Sequence, residues 1–281
     1  MPMLDQSLPY CSIFMYETEA DAEARAGWGG SGFLVGVNSD TYPELAHIYA
    51  VTNAHIVSNH PVIRFRDQVI VKASHEWTRH PDGDDVAVCS LGLKDSRTWT
   101  HIGSGLMLDQ HTMRSHRIGP GDDCFMVGRF VSGAFQAEQP VVRFGNLAML
   151  PEKIHQAERG IDQESFLVDM RSLPGYSGSP VFLYWTAERV MSWSLPVTSE
   201  SAVGKRSVVE SQWLLGIDWG HVDAERPVRD RTRNPLPDGS YVEMPSGMAA
   251  VVPAWKLAGI LRDPKMIDSR RQAEEELWRQ P

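Results

Sequence analysis

The chain has 281 residues, 42% of them hydrophobic and 22% charged, and its 27 Lys and Arg against 36 Asp and Glu give a net charge of −9. That length buries a core without disulfides or metals, and the acidic balance excludes a sequence-independent nucleic-acid binder and speaks against docking on anionic membranes. Three cysteines, Cys11, Cys89 and Cys124, are too few and odd in number for a disulfide framework. With no leader-like start and no apolar run of spanning length, they predict a cytoplasmic protein with buried free thiols.

Short runs rich in Val, Ile, Phe and Thr, divided by Gly, Pro, Asn and Asp, predict an all-β protein. In chain order the runs cover 12–16, 32–37, 48–52, 62–65, 69–73, 86–91, 123–128, 141–150, 165–170, 180–184, 213–217 and 247–253. One helical turn is predicted at 54–58. A C-terminal helix is predicted over 266–279, with Asp268 and Ser269 near its start. The polar stretch 97–117 reads as a connection between two halves, so the chain divides into 1–96, 97–117, 118–262 and a terminal helix at 263–281. Segments 186–211 and 222–246, rich in Ser, Pro, Arg and Asp, read as long insertions. The basic run 226–233 reads as a solvated loop.

Three motifs carry chemistry. The first is Leu173-Pro-Gly-Tyr-Ser-Gly-Ser-Pro-Val-Phe182, a serine between glycines at a turn between β runs. Acyl transfer generates an oxyanion, and the N–H groups of Gly175 and Ser177 are placed to hold it if the turn is tight. An ordinary Gly/Ser/Pro turn is the competing reading. A serine hydroxyl needs a base, and His55 ends the apolar run Tyr49-Ala-Val-Thr-Asn-Ala-His55. The third motif, Gly83-Asp-Asp-Val-Ala-Val-Cys89, opens a β run with an acid able to orient an imidazole. Asp85 stands directly against that run and is preferred over Asp84. Together these give Ser177 as nucleophile, His55 as base and Asp85 as orienting acid.

On these residues the chain resembles the trypsin-like serine proteases, and among them the bacterial HtrA-type and glutamyl endopeptidases. Thr52-Asn-Ala-His55 looks like the family's histidine motif, Asp85-Val-Ala-Val88 like its aspartate motif, and Gly175-Tyr-Ser-Gly-Ser-Pro180 like its serine motif. Gly30-Ser-Gly-Phe-Leu-Val35 resembles the strand before the histidine, and Leu215-Gly-Ile-Asp-Trp-Gly220 the pocket strand. The resemblance implies two antiparallel six-stranded β-barrels with the active site between them, a serine endopeptidase acting on protein or peptide substrates, and no cofactor or metal. It implies a substrate pocket including Arg171, Ser172, Asp218, Trp219 and Gly220. Arg171 in that pocket favours an acidic P1 residue and Asp218 a basic one; alternatively Asp218 turns toward His55 and Asp85 as catalytic support. Tyr176 departs from the Asp or Asn common before the serine, and Ser179 from the common glycine. With about twenty residues after the second barrel, the chain looks like a protease domain without the C-terminal peptide-binding module of HtrA-type proteins.

Other patterns fall away. Gly27-Trp-Gly-Gly-Ser-Gly32 matches a dinucleotide fingerprint in spacing, but a β run follows it where a helix is required. His75 with His80, and His111 with His116, lack metal-ligand companions. A protease in the cytosol needs restraint, so the alternative is a module that keeps the barrel for binding or sensing, or cuts only when a regulatory partner completes the site.

Overall fold

The computed structural model describes residues 8–27, 29–129, 139–156, 159–170, 175–185, 212–231, 234 and 240–279. The first half holds β1 (Ser12–Tyr16), α1 (Glu19–Ala24), β2 (Gly30–Asn38), β3 (Leu45–Thr52), α2 (Ala54–Asn59), β4 (Val62–Phe65), β5 (Gln68–Ile70), β6 (Thr78–Arg79), β7 (Ala87–Asp95) and β8 (Ile102–Gly103). A short helix α3 (Gln110–Ser115) precedes the second half: β9 (Asp123–Arg129), β10 (Pro140–Gln156), β11 (Ile161–Asp169), β12 (Pro180–Tyr184), β13 (Gln212–Pro227) and β14 (Tyr241–Pro253). Helices α4 (Ala254–Leu261) and α5 (Pro264–Trp278) follow.

The second half is the closed six-stranded antiparallel barrel expected, in the order β10-β11-β14-β13-β12-β9. The first half differs from expectation. It is an open sheet in the order β5-β4-β1-β2-β3-β7-β6, with β8 paired in parallel to β2. The seam between β5 and β6 stays open because the segment joining them forms a 3-10 turn over Ser74–Glu76. There the Glu76 carboxylate accepts the Ala73 N–H at 2.7 Å, so a local side-chain bond takes a donor that a ladder would have used.

Three further differences share one cause. Strand β10 runs on to Gln156, β13 to Pro227, and β14 begins at Tyr241. Both ends of the expected insertion at 222–246 are therefore a paired ribbon, with Ala224 opposite Met244 and Pro227 opposite Tyr241. Tyr241, Val242 and Met244 are exposed. A ribbon wet on both faces has no need of the apolar-polar alternation by which strands are read. Segment 186–211 lies outside the described residues.

Strands β2 and β3 are buried along nearly their whole length, which is why they read as continuous apolar runs. Phe33, Val35, Tyr49, Val51 and Val88 of the first sheet pack with Phe125, Phe182, Leu214 and Ile217 of the barrel in one core cluster. That shared core fixes the two halves against each other. Helix α4, not anticipated, adds Leu257, Ile260 and Leu261 to it. Helix α5 starts two residues earlier than predicted, where Asp263 caps the Lys265 N–H at 2.9 Å and Pro264 takes the first turn. It returns to the first sheet: the Glu274 carboxylate bonds His47 Nε2 at 2.9 Å and the Thr41 hydroxyl at 2.7 Å.

Candidate active site

His55 sits in α2, a six-residue helix that begins directly after β3. Its imidazole is about a quarter exposed, and the Asp85 side chain is wholly buried. The Asp85 carboxylate grips the histidine twice: Oδ1 accepts the His55 backbone N–H at 3.0 Å, and Oδ2 lies 2.7 Å from Nδ1. Asn53 closes the loop by donating its side-chain amide to the Asp85 carbonyl at 2.9 Å. The opposite ring nitrogen, Nε2, is thereby left to act as acceptor.

Two groups from the second half reach the same carboxylate. Gln156 at the end of β10 donates to Oδ2 at 3.0 Å, and Arg159 in the turn after it lies 3.1 Å from Oδ1. Gln163 of β11 accepts the Asp85 N–H at 2.7 Å. Burial alone drives the Asp85 pKa up; the hydrogen bond and charge of His55, the Gln156 amide and the Arg159 charge outweigh it and hold the carboxyl below its ordinary range. Asp84 faces elsewhere, to His80 at 3.1 Å and Lys256 at 3.0 Å. Sequence reasoning did not find Gln156, Arg159 or Gln163, because a Gln or Arg near a hairpin tip has no local signature.

The turn carrying Ser177 is seated on the ends of β2 and β3. Ser31 donates its N–H to the Ser177 carbonyl at 2.8 Å and its hydroxyl to the Gly175 carbonyl at 2.8 Å. Gly178 has φ +88 and leaves no room for a side chain: a Cβ there would sit 1.9 Å from the Ser31 carbonyl oxygen and 2.3 Å from the Thr52 hydroxyl. Thr52 is three residues before His55, so the serine turn and the histidine rest on one strand end. Gly175 also has positive φ, +95. Among the described residues neither its N–H nor that of Ser177 has an acceptor. The Ser177 hydroxyl donates to the Trp219 carbonyl at 3.3 Å and makes no hydrogen bond to His55.

Asp218 is wholly buried. Its backbone accepts from Gly178 at 2.8 Å and donates to the Ser179 carbonyl at 2.9 Å, bracing the serine turn from behind. It is opposite Val251, whose side chain belongs to the barrel's interior cluster, whereas Ile217 and Trp219 belong to the cluster between the halves. Strand alternation therefore points Asp218 into the barrel. The Trp219 indole is buried and donates to the Ser165 hydroxyl at 2.8 Å. Gly220 pairs with Ala250 and has open space above it. Arg171 and Ser172 lie outside the described residues.

The profile of the trypsin-like peptidase domain matches residues 30–186. None of the curated proteins matches the chain. Among solved structures, the MamO protease domain from Magnetospirillum magneticum, in its apo form, is 19% identical and superposes with a TM-score of 0.50 over 92% of this chain and 100% of that one. The Rv3671c protease of M. tuberculosis, in an inactive form, is 14% identical with a TM-score of 0.45, over 93% and 98%. The HtrA-type protease AlgW with a decapeptide is 16% identical with a TM-score of 0.39, over 89% and 52%. The MamO likeness shows a shared fold.

Proposed function

The chain belongs to the trypsin-like peptidase family, and from that premise we propose that it is a serine endopeptidase whose triad is Ser177, His55 and Asp85. The observation that carries the proposal is the imidazole held by a wholly buried carboxylate through both its backbone N–H and Nδ1. That arrangement fixes the tautomer and leaves Nε2 free to take a proton.

In the proposed reaction the Ser177 hydroxyl leaves the Trp219 carbonyl, turns to His55 and attacks the scissile carbonyl carbon. His55 takes the hydroxyl proton and returns it to the leaving amine. The N–H groups of Gly175 and Ser177 hold the oxyanion, each contributing about 3–4 kcal/mol to the transition state. Water, activated by the same imidazole, then releases the acyl-enzyme. A fluorophosphonate probe is expected to label the wild-type chain and not Ser177→Ala; equal labelling of both would place the nucleophile elsewhere.

One observation favours a gated form of this reading. The Ser177 hydroxyl is bonded to a backbone carbonyl and not to its base, so a substrate or partner that occupies that carbonyl would switch the serine toward His55. Purified protein that cleaves casein with nothing added would dismiss a partner-operated gate and keep the protease. For specificity, Arg171 supports an acidic P1 residue, whereas a basic P1 residue requires the Asp218 side chain, which strand alternation turns into the barrel, to face the substrate; a cleavage profile over a peptide library separates the two.

A further inference from the structure

Resting on the protease reading above, we propose that the hairpin joining β10 to β11 positions the triad's acid, with Arg159 and Gln156 as positioning residues supplied by the half of the molecule that carries Ser177. The Asp85 carboxylate is shared evenly. Oδ1 takes one contact from α2, the His55 N–H at 3.0 Å, and one from the hairpin, the Arg159 guanidinium at 3.1 Å. Oδ2 takes one from α2, the imidazole at 2.7 Å, and one from the hairpin, the Gln156 amide at 3.0 Å. Contacts from α2 alone would leave the far side of a buried carboxylate without donors, and its plane free to swing away from the ring.

The hairpin holds more than the side chain. Arg159 also reaches the Gly83 carbonyl at 3.3 Å, and Gln163 accepts the Asp85 N–H at 2.7 Å. Backbone and carboxylate of the acid are both tied to the second half. Arg159 is itself a quarter exposed, so it is not required to fill a core. A cation beside Asp85 competes with a protonated imidazole for the same negative charge. The service of Arg159 to catalysis is therefore geometric: it keeps the acid still, so that the imidazole faces the serine.

The test compares Arg159→Gln, Arg159→Lys and Gln156→Ala with the wild-type chain, in two readouts. The first is kcat and KM on a cleaved peptide. The second is the downfield proton NMR resonance of the hydrogen between His55 Nδ1 and Asp85 Oδ2. Arg159→Gln is expected to lower kcat between about 10-fold and 100-fold with KM unchanged, and to broaden the bridging resonance into exchange. Arg159→Lys, which keeps a donor cation on a long stem, is expected to recover most of both, and Gln156→Ala to show the same pattern as Arg159→Gln. An Arg159→Gln chain that keeps its kcat and a sharp resonance would overturn the proposal, as would one that only melts earlier. If the wild-type chain neither cleaves nor takes the fluorophosphonate, the protease reading fails. The resonance comparison needs no turnover and still decides what the hairpin does.

Discussion

Asp85→Asn removes one charge and turns one acceptor oxygen into a donor amide, and the surroundings decide which oxygen it replaces. Oδ2 faces His55 Nδ1 and the Gln156 amide, and Oδ1 faces the His55 N–H as a hydrogen bond and the Arg159 guanidinium as an ion pair. If the new NH₂ takes the Oδ1 place, it meets a backbone N–H and a guanidinium, neither of which can become an acceptor. If it takes the Oδ2 place, it meets His55 Nδ1 and the Gln156 amide. Both can adapt: the ring moves its proton to Nε2, and Gln156 turns round to offer Oε1, which has no donor among the described residues. The second arrangement satisfies every group and therefore wins. It also puts a hydrogen on the nitrogen that must accept one from Ser177. Turnover is expected to fall by about 10⁴-fold, a barrier increase of about 5 kcal/mol. Stability falls far less, by about 1–2 kcal/mol, the difference between charged and neutral hydrogen bonds. The assay pairs kcat/KM on a peptide substrate with thermal unfolding of the same preparation. A variant keeping a tenth of wild-type kcat/KM would refute the tautomer argument, and a variant unfolded at the assay temperature would refute the small stability cost worked out for the rearranged hydrogen bonds.

Gly178→Ala places a Cβ 1.9 Å from the Ser31 carbonyl oxygen at φ +88, so left-handed strain and overpacking together are expected to cost about 2–5 kcal/mol, read as a lowered unfolding midpoint in urea with activity lost in step. Glu274 ties α5 to the first sheet; burial alone raises its pKa, but hydrogen bonds from Thr41, His47 and Ser39 outweigh this and lower it from 4.5 to about 2. A depressed carboxyl contributes stability that is present above its unfolded pKa and lost as pH falls through the folded one. The stability difference between wild type and Glu274→Gln is therefore expected to shrink between pH 4.5 and about 2, measured by denaturant unfolding at each pH; a difference constant across that range would show that the carboxylate's charge is immaterial to the tether. Burial pushes the Cys11 thiol up to about 12 and Cys89 to about 11, and raises Cys124 as well. All three are expected to resist iodoacetamide at neutral pH until the chain unfolds, and rapid alkylation of native protein, seen by mass spectrometry, would contradict that burial.

Much of this protein was legible one segment at a time. Ser12–Tyr16, Val62–Phe65 and Pro180–Tyr184 are strands at the expected bounds, because their side chains meet buried surroundings and the composition of each run records that. Thr52-Asn-Ala-His55 and Gly175-Tyr-Ser-Gly178 were readable for a related reason: small residues crowd where backbones touch, and Gly178 against Thr52 is that contact. What the chain's order could not express is which distant segments share a donor. Gln156 and Arg159 lie more than seventy positions from Asp85, and nothing in a glutamine or an arginine near a hairpin tip announces an acid across the interface. The open seam of the first sheet and the long exposed ribbon of β13 and β14 escaped for the converse reason. Pairing there is set by backbone geometry and water on both faces, and neither leaves a periodic trace in the side chains. Local burial writes itself into the sequence residue by residue; hydrogen bonds between the two halves exist only once the shared core has brought those halves together.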